Sequence, residues 1–185
     1  MAVPFESIRK EFNRLKDFVL NDLRRLVSQD IGGNYLAVSL ITCACDAVSR
    51  FHYGKRNEGE LFFTEYILPS DWKPMGRTIY DALRNGLIHS YETKDIIYNG
   101  KTIVLCISWG KKRHLSFSAD SNTFTIFLNV KTLKTDLRKA FSLYERRLQR
   151  DPDLREMFHR MMKKDRHQHV HDRKEIAAWN KLLAG

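Results

Sequence analysis

The sequence predicts a mainly α-helical fold carrying one inserted four-strand antiparallel β-meander, and three patterns predict it. Phe5, Ile8, Phe12, Leu15, Val19, Leu23 and Leu26 recur at three- and four-residue steps, which places them on one face of a helix. Over 102–109 the period changes to two, with Ile103, Leu105, Ile107 and Trp109 alternating against Thr102, Val104, Cys106 and Ser108. Helical spacing then returns at Val130, Leu133, Leu137, Phe141, Tyr144 and Leu148.

The elements follow in order. The first helix covers 5–27 and is amphipathic. Gly32-Gly33 interrupts the pattern, Asn34 is placed to cap a second helix, and 35–51 is apolar nearly all round until Asp46, Ser49 and Arg50. A helix of that kind belongs at the centre of a bundle. A shorter helical piece over 58–68 ends at Pro69, after which Ser70 or Asp71 is placed to cap a long helix reaching about Tyr91. Asn99-Gly100 signals a tight hairpin, 110–112 and 119–122 read as further turns, and strands are expected near 95–98, 102–109, 113–117 and 123–128. Asn129 is placed to cap the helix over 130–148, Asp151-Pro152 breaks it, and helical stretches follow at about 153–165 and 173–183.

With 185 residues, 43% of them hydrophobic, the chain can bury one substantial core. Lys and Arg outnumber Asp and Glu by 32 to 22, giving a formal net charge of +10, and such a surface attracts polyanions. No apolar run approaches the roughly 18–20 residues of a spanning helix, and the first residues carry mixed charge, so no membrane partner and a cytoplasmic location are expected. Cys43, Cys45 and Cys106 form neither an even framework nor a C-x-x-C pair and read as small core residues. No phosphate-binding P-loop, dinucleotide-binding glycine turn or nucleophile elbow is present in the sequence, so no cofactor is expected.

Stepping at 100° around the helix that ends near Tyr91 places Met75, Ile79, Leu83, Gly86 and Leu87 toward the core. The opposite side carries Asp81, Asn85 and His89 at four-residue spacing, with Arg84 beside them and Ile88 among them. An exposed isoleucine in a polar stripe has the character of a subunit interface. A permanent cation next to a group that titrates near neutrality suits chemistry at a phosphodiester. Arg84 would hold the phosphate oxygens, His89 would move a proton at the attacking or leaving oxygen, and Asn85 would position an oxygen or the imidazole. The plain alternative pairs Arg84 with Asp81 on the helix surface. Asp46, on the second helix, has two candidate partners, Arg50 on its own helix and Arg84.

The stretch Tyr80-Asp81-Ala82-Leu83-Arg84-Asn85-Gly86-Leu87-Ile88-His89-Ser90-Tyr91 resembles the signature of the HEPN superfamily, an Arg and a polar residue followed by His after four to six positions. It stands late in a long helix after two bundle helices, where that family carries it. The resemblance implies a helical bundle over 1–150, with the β insertion at about 95–128 as a departure from the simple form, and 151–185 as a basic helical extension of the same domain. It also implies a homodimer whose Arg and His residues line one cleft. The implied activity is metal-independent endoribonuclease cleavage through the ribose 2′-hydroxyl, in toxin–antitoxin, abortive-infection or related defence systems. The longer pattern through Tyr91 is similar to toxins whose tyrosine is adenylylated by a nucleotidyltransferase antitoxin, which makes Tyr91 a candidate modification site. Since some HEPN members only bind RNA or assemble, a non-catalytic module is the alternative.

The tail carries Arg155, His159, Arg160, Lys163, Lys164 and Arg166, with Arg155, His159 and Lys163 on one helical face. It reads equally as a phosphate-tracking strip and as a solvated face. His167, His169 and His171, with Asp165 and Asp172 nearby, would gather a metal only in an extended chain, and no metal is assigned to them.

Overall fold

The computed structural model describes residues 3–28, 34–55, 58–110, 112–120, 122–164 and 173–183. Helices α1 (Phe5–Ser28) and α2 (Asn34–Tyr53) open the chain. A short α3 (Gly59–Phe62) runs into a π turn at Phe63–Ile67, a 3-10 turn spans Ser70–Met75, and α4 (Gly76–Ser90) carries the Arg84–His89 motif. Strands β1 (Ile96–Tyr98), β2 (Lys101–Ser108), β3 (Ser116–Ala119) and β4 (Thr123–Asn129) lead into α5 (Val130–Arg150), α6 (Pro152–Lys164) and α7 (Arg173–Leu183). The described residues are thus mainly helical, with one small four-strand mixed sheet.

The apolar α2 is central, as its composition requires. It packs against α1, α3, α4, α5 and α6 and buries Ala37, Val38, Ile41, Ala44, Cys45 and Val48, several of them small enough to admit close neighbours. Phe12 of α1 meets the rings of Phe141 and Tyr144 of α5 and Phe158 of α6 edge-on, with centroids 6.2, 5.5 and 6.3 Å away. Leu154, Phe158 and Met161 of α6 are buried in the same core, so the first helix of the basic tail is a wall of the bundle. No helix among the described residues is long and apolar enough to cross a membrane.

The sheet corrects the expected antiparallel meander. Its order is β1-β2-β4-β3, and β2 pairs parallel with β4, while β1–β2 and β3–β4 are antiparallel. The 119–122 turn joins β3 to β4 as expected, but the hairpin returns so that β4 lies against β2. β2 and β4 are the long, apolar strands, and they take the two central positions, leaving the short β1 and β3 at the edges. One face, with Leu105 and Leu128 buried, covers the helices; Val104, Cys106 and Phe127 lie on the other.

Smaller corrections concern the start of α4 and the cysteines. The long helix expected from 71 begins as α-helix only at Gly76, because Pro74 offers no backbone N–H and sits inside a 3-10 turn. Neither Ser70 nor Asp71 supplies a side-chain cap to it, and Met75 is exposed rather than in the core. Cys43 is exposed, whereas Cys45 is buried and Cys106 half-buried.

Sheet and bundle are joined at Asn129. Its side-chain oxygen accepts from Thr132 N (3.1 Å), capping α5, and its Nδ2 donates to Lys112 O (3.1 Å). Its backbone N–H donates to His114 Nδ1 (3.1 Å), so the ring is neutral with its proton on Nε2, which is buried without a partner. Burial lowers the His114 pKa, and Asp136 opposes the shift only in part. In the unfolded chain histidine titrates near 6.5, so the unfolded state binds the extra proton first as pH falls. The His114 contribution is therefore full above about pH 6.5 and is lost as pH falls from there to the depressed folded value. Thermal unfolding across pH 5–8 should show a melting temperature that falls below pH 6.5 with a shallower slope in His114→Gln; equal slopes would remove this role for His114.

Candidate active site around Asp46 and Arg84

Helix α4 divides as its spacing predicts from Ile79 onward. Ile79, Tyr80, Ala82, Leu83, Gly86 and Leu87 are buried, Arg84 and Asn85 are half-buried, and Asp81, Ile88 and His89 are exposed. The helix ends at Tyr91, whose φ of 57° is left-handed. The chain then folds back on it, with Glu92 N donating to Gly86 O (3.4 Å) and Lys94 N to Ala82 O (3.1 Å). Gly86 allows that return, because a Cβ there would lie 2.2 Å from Glu92 O.

The centre of the site is the Asp46 carboxylate of α2. Oδ2 accepts from Arg84 Nε at 2.6 Å, and Oδ1 accepts from the Tyr80 hydroxyl at 2.9 Å. The same hydroxyl lies 3.0 Å from Thr42 O. Thr42 and Asp46 are one turn apart on α2, and Tyr80 and Arg84 one turn apart on α4, so the crossing helices match two pairs in register. The hydrogen bond to Asp46 pushes the Arg84 pKa further up, against the opposing effect of burial. Burial above all, then the neighbouring Cys45 and Asp46, keep the Tyr80 phenol protonated. Arg84 is a fixed cation whose NH1 also donates to Asn85 Oδ1 (3.3 Å). Of the two partners the sequence offers Asp46, the charge goes across to Arg84. Asp81 turns the other way, 3.9 Å from Arg77, which corrects its expected support of Arg84.

Tyr80 and Gly59 complete the arrangement and carry no motif signal. A Cβ on Gly59 would stand 2.1 Å from the Tyr80 hydroxyl and 2.2 Å from Asp46 Oδ1, so α3 closes over the pair only because position 59 has no side chain. The available signal was Asp46 itself, a charge in an otherwise apolar helix that requires a partner. Cys43 borders the site, but partial burial and Asp46 raise its pKa, with Arg84 opposing, so it is a thiol and no ready nucleophile.

The accessible side of the motif opens onto a shallow groove of about 280 Å³ between α4 and β1, lined by Arg77, Asp81, Asn85, Lys94 and Asp95 among others. His89 projects from the exposed stripe beside Ile88, which is 44% exposed. Tyr91 is 55% exposed, its ring centroid 5.7 Å from that of Tyr35.

A second polar cluster holds the π turn. Arg147 NH1 donates to Glu65 Oε1 (2.8 Å) and to the Tyr66 hydroxyl, and the Tyr53 hydroxyl donates to Glu65 Oε2 (2.9 Å). Burial pushes Tyr66 up to about 12 and lowers the pKa of His52 beside it. Tyr53, Glu65, Tyr66 and Arg147 bond to one another across three elements, as a latch does, while His52 Nδ1 is buried beside them without a partner.

The tail divides. Arg155 is withdrawn from the expected phosphate strip: its Nε donates to Val3 O (2.7 Å) and its NH1 to Leu148 O and Gln149 O (3.1 and 3.0 Å), neutralising carbonyls at the end of α5. His159 is half-buried, whereas Arg160, Lys163 and Lys164 are exposed. Arg166 and the His167, His169 and His171 cluster, with Asp165 and Asp172, lie outside the described residues.

Comparison with protein-family models, curated proteins and solved structures returned no match. The functional reading therefore rests on this chain's own residues. The closure at Gly59 yields a prediction: Gly59→Ala should lower unfolding free energy by about 1–3 kcal/mol through overpacking against Asp46 and Tyr80. Denaturant unfolding reads this directly, and a variant as stable as wild type would mean that the contact is not close-packed.

Proposed function

We propose that the chain is a metal-independent endoribonuclease of the HEPN type, cytoplasmic, acting as a homodimer in a toxin–antitoxin, abortive-infection or related defence system. The observation that carries this reading is the Arg84 guanidinium, anchored by Asp46 on a helix whose exposed stripe bears His89 about 1.4 turns further on. A cation held by a second-helix carboxylate keeps its orientation while a substrate arrives, which is what stabilising a developing phosphorane charge requires.

In this reading the ribose 2′-oxygen attacks phosphorus while its proton passes to one His89 imidazole. The bond from phosphorus to the 5′-oxygen breaks, and the 5′-oxygen takes a proton from the second copy of His89. The products are a 2′,3′-cyclic phosphate and a 5′-hydroxyl, so one histidine starts neutral and the other protonated, and the pair ends exchanged. Arg84 and Asn85 hold the non-bridging oxygens. Two copies of α4 meeting at Ile88 would bring both histidines to one cleft. The exposed Arg160, Lys163 and Lys164 add general phosphate attraction, consistent with the net charge of +10. Tyr91, exposed just past the helix, is open to adenylylation by a nucleotidyltransferase partner.

The second reading, a non-catalytic RNA-binding or assembly module, draws on the same ion pair, because Asp46 offsets part of the Arg84 charge that catalysis would use. A cleavage assay on mixed RNA in chelator separates the two. Wild type should cleave, His89→Ala should lose about 10²-fold or more in rate with its melting temperature unchanged, and Ile88→Asp should lose dimer and activity together. Clean wild-type protein that binds RNA without cutting it, across pH and salt, favours the module.

A further inference from the structure

Two apolar surfaces stand open among the described residues. The first is α7, where Ile176, Trp179 and Leu182 succeed one another at three-residue steps and are 40%, 49% and 69% exposed. At 11 residues this helix is shorter than the roughly 12–15 that even good helix formers need in water, so it depends on a surface to pack against. The second is a cavity of about 310 Å³ beside α1 and α6, with Phe18, Phe51, Phe158 and Met162 in its wall and Glu11 and Arg14 at its polar edge. Phe18 is 65% exposed, an unusual position for a phenylalanine on a helix that otherwise buries its apolar face.

We propose that α7 of a second copy of this chain fills the cavity, with Trp179 as its anchor, and that two chains exchange these helices reciprocally. A large aromatic entering a pocket walled by Phe18, Phe51, Phe158 and Met162 is the pairing that dominates protein interfaces, with the charged edge left at the rim. Among the described residues of a single chain, neither the apolar stripe of α7 nor the cavity is buried by another element. Exchange about a two-fold axis covers two helices and two cavities at once and closes the assembly without leaving a free end. Eight residues, 165–172, separate α6 from α7, which allows a reach of about 27 Å at full extension. The exchange is independent of any contact at Ile88 and of the Arg84–His89 chemistry.

The test is cross-linking between full-length chains of two sizes, with the exposed Cys43 replaced by Ser. One chain carries Arg14→Cys at the cavity edge and the other Lys181→Cys on α7, and a short bis-maleimide is added to the mixture. A heterodimer band is expected, falling about tenfold or more when Trp179→Ala or Phe18→Ala is introduced. Both replaced side chains are exposed, so folding is preserved, and circular dichroism checks it. The double variant Arg14→Cys/Lys181→Cys should give interchain products. Absence of the heterodimer band, its insensitivity to Trp179→Ala, or an exclusively intrachain product from the double variant each overturns the exchange. None of these results bears on RNA cleavage, so this proposal and the nuclease reading fail separately.

Discussion

The site depends on one carboxylate. Asp46 lies in the most apolar helix of the bundle, where an unpaired charge would be costly, and it is stabilised by the Arg84 guanidinium on one oxygen and the Tyr80 hydroxyl on the other. That requirement fixes the rotation of α4 relative to α2. Once Tyr80 and Arg84 face Asp46, the 100° step of the helix directs Asp81 and His89 outward, and Asn85 onto the groove beside β1. Gly59 then lets α3 close on the pair. This pair is half-buried, and its effect is to disfavour other helix registers, since slippage would strand the carboxylate.

Much of this was legible in the residues themselves. Helical spacing located α1, α2, α5 and α6 to within a few positions, and Asn129 announced its cap. Asn99-Gly100 announced a turn in which both residues take positive φ, 49° and 71°. Ile79, Leu83, Gly86 and Leu87 took the buried side and Asp81, Ile88 and His89 the exposed side, whereas Arg84 and Asn85 are half-buried. What the residues could not convey was pairing between distant elements. Alternation identifies a strand but not its neighbour, so β2 beside a parallel β4 was invisible. Tyr80 was assigned no role until Asp46 lay opposite its hydroxyl. Arg155 looked like a surface cation because its carbonyl partners at Val3, Leu148 and Gln149 come together only in the folded bundle.

The basic tail shows the same limit from another side. Charge alone suggests an appendage, yet α6 buries Leu154, Phe158 and Met161, and its first arginine seals the end of α5. The cations left exposed on α6, Arg160, Lys163 and Lys164, are grouped toward its outer turns, so attraction for polyanions and structural work are divided between positions of one helix. α7 differs in kind, since Ile176, Trp179 and Leu182 stand exposed along it instead of being buried in the bundle.

The central claim is that a fixed Arg84 and an exposed His89 cut RNA by internal attack of the 2′-hydroxyl. End-group analysis of the RNA products formed by wild-type protein in chelator tests it most directly. The account predicts 2′,3′-cyclic phosphate on one fragment and 5′-hydroxyl on the other, with both lost in His89→Ala. Products bearing 5′-phosphate, or equal product from the His89→Ala variant, would contradict it.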